Sequence, residues 1–543
     1  MNRATSAPPV RLPNIMRGAA LSRPATNVDA PGHPSLTAYA ESVGRRVAEA
    51  TSDEDKRLRG QIFTPARIAT LIAEALGPLG TRVRLLDPGA GVGILTAAVC
   101  ERAARAARPT RVEVDVFEND ATVIPALRGV LETCAASLAA RGHRLEARLY
   151  DEDFLDRVGG VGATPLFRRP IGPYDAVVMN PPYFKVGRDS EHAHLDLGEA
   201  GHNAYALFMA CAVDLLDDAG RLTAITPRSF CNGPYFRRFR KRMFEKRHLE
   251  SVRVFESRRT TFAAQVLQES VISTWCGRSP RRRVTRIVAD DGDRGVALSL
   301  PTVRVVDRRG GDVVRLPTSR LDCDVLEFVE RLPTTFEDAG LTVATGRVVA
   351  FRARGFLRND PSAPATVPLL TMHHVRPPTV VWPIPGLAGK PQALALGKET
   401  EALLIPAEPC VLLRRFSAKE DRKRLIASVL DPSSMKTLSK GVAVENHVNV
   451  IARRDAALSS EEAFGVAAIL NSSLFDRYFR ILSGNTQVNA AEVRSLPFPD
   501  SRTVARIGRR MRASDRLDPP SGDVVVCEEL SIPETSARKL LGR

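Results

Sequence analysis

Through the first half of the chain, short apolar runs alternate with amphipathic stretches of helical spacing. Ile68, Leu71, Ile72 and Leu76 recur at helical intervals, with Pro65 suited to a first turn and Gly77 to an end. A helix is expected there, with Thr64 as its N-cap. Residues 83–86 form an apolar strand ending on Asp87, and a helix from 94 to about 105 follows a glycine-rich turn. A second strand, 112–117, ends on Glu118 and leads to a helix over roughly 121–140 and a strand near 144–149. Residues 176–179 are a further buried strand that stops at Pro181 and Pro182, because proline cannot donate to a sheet ladder. The stretch 203–217 is helical in spacing, and 220–226 is a strand ended by Pro227. Strands alternating with helices predict an α/β fold with a largely parallel sheet.

Length and composition divide this pattern. The 543 residues exceed what one core holds comfortably, so two domains with extensions are expected. Residues 1–35, rich in Pro, Ala and Arg, are expected to be a disordered extension, and 36–59 a polar helical lead-in. The catalytic domain then spans 36–277, and Arg-, Asp- and Gly-rich residues 278–320 are a linker or boundary region. Residues 321–500 form a mixed α+β domain whose segments around Arg347, Arg415, Asn446 and Gln487 carry side chains that read base edges. Residues 501–543 are a flexible tail. The net charge of +16 suits a polyanionic partner. Eight cysteines stand singly, which fits a reducing cytoplasm and argues against a metal site. No apolar run reaches the roughly 18 residues of a membrane span.

The densest candidate chemistry is Asn180-Pro181-Pro182-Tyr183 at the carboxyl end of a strand, where open α/β sheets bind ligands. Asn180 offers an amide oxygen, Pro181 a carbonyl and Tyr183 an aromatic face. Two acceptors and a stacking plane fit a planar ring carrying an exocyclic amine. They can hold both amine hydrogens and free a lone pair otherwise delocalised into the ring. Upstream, Asp87-Pro88-Gly89-Ala90-Gly91-Val92-Gly93 joins a strand to a helix, and its glycines let backbone approach a ligand. Glu118 can accept from ribose hydroxyls, and Asp153-Phe154 can meet an adenine. Basic residues from Arg237 to Arg247 interleave with Phe236, Phe239 and Phe244, as on a solvated helix or a phosphate-facing one.

Taken in order, Phe63-Thr64-Pro65, the Asp87–Gly93 turn, Glu118, Asp153-Phe154, Asn180–Tyr183 and the Phe262 segment resemble the motifs of the γ-class, TaqI-like adenine-N6 DNA methyltransferases of restriction–modification systems. The resemblance covers about 60–275 and extends more weakly over 340–500. It implies a class I, Rossmann-like methyltransferase sheet followed by a target-recognition domain. S-adenosylmethionine is the implied cofactor, and double-stranded DNA the partner, with a separate restriction endonuclease as protein partner. It further implies that Phe63, Thr64, Asp87, Gly89, Gly91 and Gly93 hold the methionine end, Glu118 the ribose, and Asp153 and Phe154 the adenine. Asn180, Pro181 and Pro182 would hold the target amine, and Tyr183 and Phe262 would sandwich an extruded base. An enzyme acting on RNA or protein glutamine, or a non-catalytic specificity subunit, stands as the alternative. Pro409-Cys410 and Glu445-Asn446 mimic the cytosine-C5 pattern, but no second glycine turn accompanies them.

Overall fold

The computed structural model describes residues 10–11, 35–52, 63–159, 171–187, 197–255, 269–278, 283–290, 295–308, 310–387, 389–417, 422–432, 441–484, 487–513 and 519–542. Phe262 and nearly all of the 1–35 extension lie outside the described residues. The chain divides into two units, one ending at Thr318 and the other beginning at Ser319.

The first unit is built on strands β1 (Arg82–Pro88), β2 (Arg111–Phe117), β3 (Arg144–Tyr150), β4 (Tyr174–Met179), β5 (Leu216–Pro227), β6 (Arg247–Phe255), β7 (Ser270–Gly277), β8 (Val284–Asp290) and β9 (Gly295–Pro301). Their order is β3-β2-β1-β4-β5-β7-β6-β8-β9, with the short strand Val10–Arg11 on the outer side of β3. Strands β3 to β5 are parallel, and β7 runs antiparallel between β5 and β6. This is the class I methyltransferase sheet that the alternating pattern and the motifs implied. The chain winds outward from β1 through β2 and β3, then crosses back to β4. The switch point, where such sheets bind ligands, therefore lies between the carboxyl ends of β1 and β4.

Helices α1 (Leu36–Ala50), α2 (Ala66–Ala75), α3 (Ile94–Ala103), α4 (Ile124–Ala139), α5 (Phe154–Gly159), α6 (Ala204–Asp214) and α7 (Arg237–Lys246) cover the sheet. One apolar core joins α1 to α4 with the sheet through Leu36, Ile72, Leu95 and Leu127. The other, under α6 and α7, includes Phe208, Phe239 and Trp275. The basic stretch over α7 is largely structural. Buried Arg240 donates to the carbonyls of Phe230, Asn232, Gly233 and Gly311. Arg242 and Lys246 both reach Asp214.

Two boundary expectations are corrected. Residues 284–301, taken as linker, extend the main sheet: β8 pairs parallel with β6, from Ser251 opposite Arg286 to Phe255 opposite Asp290. Arginines around residue 282 disguised this strand, whose Thr285, Ile287, Val288 and Ala289 are buried. Residues 501–543, taken as a flexible tail, hold helices Ser501–Ala513, Pro519–Glu529 and Glu534–Leu540. The first buries Val504, Ile507 and Met511, while Arg510 pairs with Glu528 at 2.6 Å and Glu529 at 2.9 Å. Its amphipathic face was hidden by charge: six of its thirteen residues are Arg or Ser. The second unit carries a six-stranded sheet that includes Leu341–Thr345, Val448–Arg453, Cys410–Arg414 and Ala427–Leu430. Among the described residues no helix is long and apolar enough to cross a membrane.

Helices Ser460–Asn471 and Ser501–Ala513 touch backbone to backbone. A Cβ at Gly465 would lie 2.0 Å from the Val504 carbonyl oxygen, and one at Gly508 1.7 Å from that of Glu461. Gly508→Ala should therefore destabilise the protein by about 1–3 kcal/mol, read as a drop in melting temperature. An unchanged melt would refute the close crossing.

Candidate functional site

At the switch point the turn after β1 is fastened from below. Ala90 N donates to the Phe117 carbonyl at 2.8 Å, and Gly89, Gly91 and Gly93 take φ of 74°, 57° and 85°. Only glycine adopts such backbone cheaply. Their roles then separate. A Cβ on Gly91 would point into open space, whereas one on Gly93 would lie 2.7 Å from Leu127. Gly93 thus admits α4, and Gly89 and Gly91 face a cavity of about 290 Å³. Phe63, Thr64, Val92, Asn180 and, from α1, Glu41 and Arg45 also line it.

Glu118, at the end of β2, accepts from Gly91 N at 2.8 Å and Asp120 N at 2.9 Å. Burial raises its pKa against those two bonds. Asp87 is fully buried; one oxygen accepts from Thr96 Oγ1 at 2.7 Å, and Oδ1 has no hydrogen-bond partner among the described residues. Burial pushes its carboxyl up to about 7, opposed by the Thr96 bonds.

Asn180 stands at the end of β4, held on both sides. Its Nδ2 donates to Thr64 Oγ1 at 3.0 Å, and its Oδ1 accepts from the Tyr183 hydroxyl at 2.8 Å. Tyr183 also reaches the Ile225 carbonyl at 3.0 Å, tying the loop to β5. Burial raises the Tyr183 pKa, so the hydroxyl stays a donor. Among the described residues nothing donates to the Pro181 carbonyl, and Pro182 flanks Gly89.

Several expectations change here. Thr64 is not an N-cap: Pro65 occupies that position, and Glu41 Oε1 accepts from Ala66 N at 2.9 Å instead. This frees the Thr64 hydroxyl for Asn180. Tyr183, expected to offer a ring face, engages its hydroxyl with Asn180 and the Ile225 carbonyl. Phe154 is 1% exposed, edge-on to Phe117 at 5.4 Å and against Phe208, so in this structure its ring belongs to the core. Asp153 caps α5 through Leu155 N at 2.7 Å and accepts from Asn119 Nδ2 at 3.1 Å. The role given to Phe262 falls outside the described residues. Glu41 and Arg45 were missed; the signal was Leu36, Ala40, Val43 and Gly44, whose spacing marks α1 as a packed helix. Cys410 lies in a strand at 4% exposure with its thiol pushed up to about 12 by burial, the opposite of a nucleophile.

Comparison with known proteins follows the same lines. Residues 162–262 match the Eco57I restriction-modification methylase family. The chain is 31% identical to the type II methyltransferase M.PstI of Providencia stuartii over 88% of its own length and 94% of that protein. It is also 31% identical to the type II methyltransferase M.BsuBI of Bacillus subtilis, over 84% and 90%. Its fold resembles that of the type IIL restriction-modification enzyme MmeI, solved in complex with DNA, with a TM-score of 0.52 at 10% identity, over 93% of this chain and 74% of that one.

The residues present fit S-adenosylmethionine. Open glycine backbone, a carboxylate at each strand end and an unmatched buried oxygen on Asp87 suit a cationic nucleoside ligand. Because the Asp87 pKa is raised in the folded state, its proton-linked stability is full below the ordinary carboxylate range, declines as pH rises, and is gone above about 7. Denaturant titrations from pH 4 to 8 should show the wild type losing stability relative to Asp87→Asn. Parallel curves would contradict this.

Proposed function

The chain belongs to the type II methyltransferases of restriction–modification systems, and on that premise we propose that it methylates adenine N6 within a specific sequence of double-stranded DNA. The observation that carries this reading is the convergence of Asn180 with Gly89 and Gly91 on one cavity. S-adenosylmethionine supplies an electrophilic methyl group on a sulfonium.

The chain's own residues do the rest. Gly89, Gly91 and the Thr64 neighbourhood hold the cofactor's amino-acid end, and Glu118 accepts from its ribose. Asn180 Oδ1 and the Pro181 carbonyl accept the two hydrogens of the target amine, which turns the nitrogen lone pair out of conjugation. Thr64 holds the Asn180 amide so that its oxygen faces outward. Incoming amine replaces the Tyr183 hydroxyl at Oδ1, and the tyrosine ring becomes a stacking face. No base is needed to ionise the amine beforehand, since its proton leaves after the new bond forms.

An adenine inside a duplex cannot reach this cavity, so it is extruded at a cost of a few kcal/mol. Stacking on Tyr183 offsets about 1–3 kcal/mol of that. Ser319–Arg543 is the target-recognition unit in this reading, the enzyme works in the cytoplasm, and a separate endonuclease shares its sequence.

Methylome sequencing of a host expressing the protein tests the proposal: N6-methyladenine in one motif is expected, and N4-methylcytosine would overturn the adenine assignment. Asn180→Ala should abolish methylation and leave S-adenosylmethionine affinity within a few fold. Turnover retained in that variant would end the amine-acceptor mechanism. Tyr183→Phe removes the hydroxyl that ties the loop to the Ile225 carbonyl, worth about 1 kcal/mol, so single-turnover methylation should slow roughly five-fold. Tyr183→Ala should in addition weaken binding to an intact duplex more than to one with an abasic site opposite the adenine.

A further inference from the structure

Three strands of the second unit end together. Leu341–Thr345 and Cys410–Arg414 both run antiparallel to Val448–Arg453, with Thr345 opposite Asn449 and Arg414 opposite Val448. The segments beyond that end are therefore neighbours: the loop after Thr345, Arg415 with Phe416, and the turn Glu445–His447. Hydrogen bonds join them. Gly346 N reaches the Val448 carbonyl at 2.8 Å, Val348 N the Val444 carbonyl at 2.9 Å, and Arg415 N the His447 carbonyl at 2.9 Å. Gly346 cannot change, because its Cβ would lie 2.3 Å from the Glu445 carbonyl oxygen.

The loop Gly346–Arg358 is anchored yet open. Val348 and Ala353 are buried on either side of Phe351, which is 76% exposed. A lone exposed ring is common on protein surfaces; what sets Phe351 apart is its place on an anchored backbone beside exposed arginines. The same thirteen residues hold four arginines and no acid. Arg347 is occupied, donating to the Leu404 carbonyl at 2.8 Å, and Arg358 bonds its own loop. Arg352 and Arg354 are exposed and have no carboxylate partner among the described residues. The Arg352 guanidinium lies 5.4 Å from the Phe351 ring centre.

We propose that Gly346–Arg358 is a duplex-contacting loop in which Phe351 presses its ring against a base step and Arg352 and Arg354 hold flanking phosphates. An apolar wedge flanked by cations is the side-chain chemistry that unstacks bases while neutralising backbone charge. The surface fits DNA better than a protein partner, because unpaired arginines with no interleaved acid lack the mixed charge of a protein rim. This inference rests on the reading of the chain as a DNA methyltransferase.

The test uses the full-length protein and a duplex containing the methylated motif found by sequencing. Phe351→Ala should weaken binding by roughly ten-fold, raise the KM for DNA and leave kcat at saturating DNA and S-adenosylmethionine affinity unchanged. Phe351→Trp should bind like the wild type. Arg352→Gln and Arg354→Gln should each reduce the slope of log affinity against log salt by about one. Melting temperatures should not move, since all three side chains are exposed. If Phe351→Ala binds the duplex within two-fold of wild type, or if its only effect is on self-association, the inference is overturned. A wild-type protein that methylates no DNA would instead bring down the reading beneath it.

Discussion

The pairing of β1 with β4 is the contact on which the site depends. Leu85 lies opposite Ala176 and Leu86 opposite Val177, in parallel register. These strands are distant in sequence, and between them the chain winds out through β2 and β3 and returns. Both are buried along the carboxyl half, with Leu86, Val177 and Met179 in one apolar layer and Leu85, Ala176 and Val178 in the other, so a slip of one residue would exchange side chains fitted to different cores. The apolar core therefore sets the register, and the register sets the distance between the glycine turn and Asn180. Proline at Pro181 and Pro182 ends the strand before that register can drift.

Polar groups buried at this point are matched incompletely, and in a particular order. Glu118 is satisfied by two backbone donors. Asn180 is gripped between Thr64 and Tyr183, so its amide has one preferred orientation. Asp87 keeps one unmatched oxygen. An unpaired buried acceptor costs free energy that a ligand can recover. One such acceptor lies at the end of β1, beside the Gly89 and Gly91 backbone that faces the cavity.

The second unit is organised by different physics. Two of its helices meet at glycines so closely that backbones touch. What it presents outward is a set of loops at one end of a sheet, rich in Arg and carrying a solvent-facing phenylalanine. A rigid core with a polar, cationic rim lets sequence change at the rim without disturbing the fold.

Strand and helix periods, the glycine turn and the Asn-Pro-Pro-Tyr loop were legible from residues alone, because each is encoded within a dozen positions. Apolar runs marked β1, β2 and β4; Asp87 and Glu118 marked the ends of the first two and prolines the end of the third. Longer-range facts were not. Thr64 has the sequence context of a helix cap, but Glu41 on α1 takes the Ala66 N–H, and the threonine hydroxyl goes to Asn180. Phe154 has the context of a ligand-stacking ring, but Phe117 and Phe208 enclose it. Residues 284–301 and 501–543 looked like linker and tail, since arginines just before the first and throughout the second mask an apolar face that only a neighbouring strand or helix completes. Local pattern decided which elements form and where backbone must be glycine or proline. Tertiary packing decided which of several chemically able side chains is buried, paired or left facing the cavity, because burial and hydrogen bonding are properties of neighbours that the chain brings together only on folding.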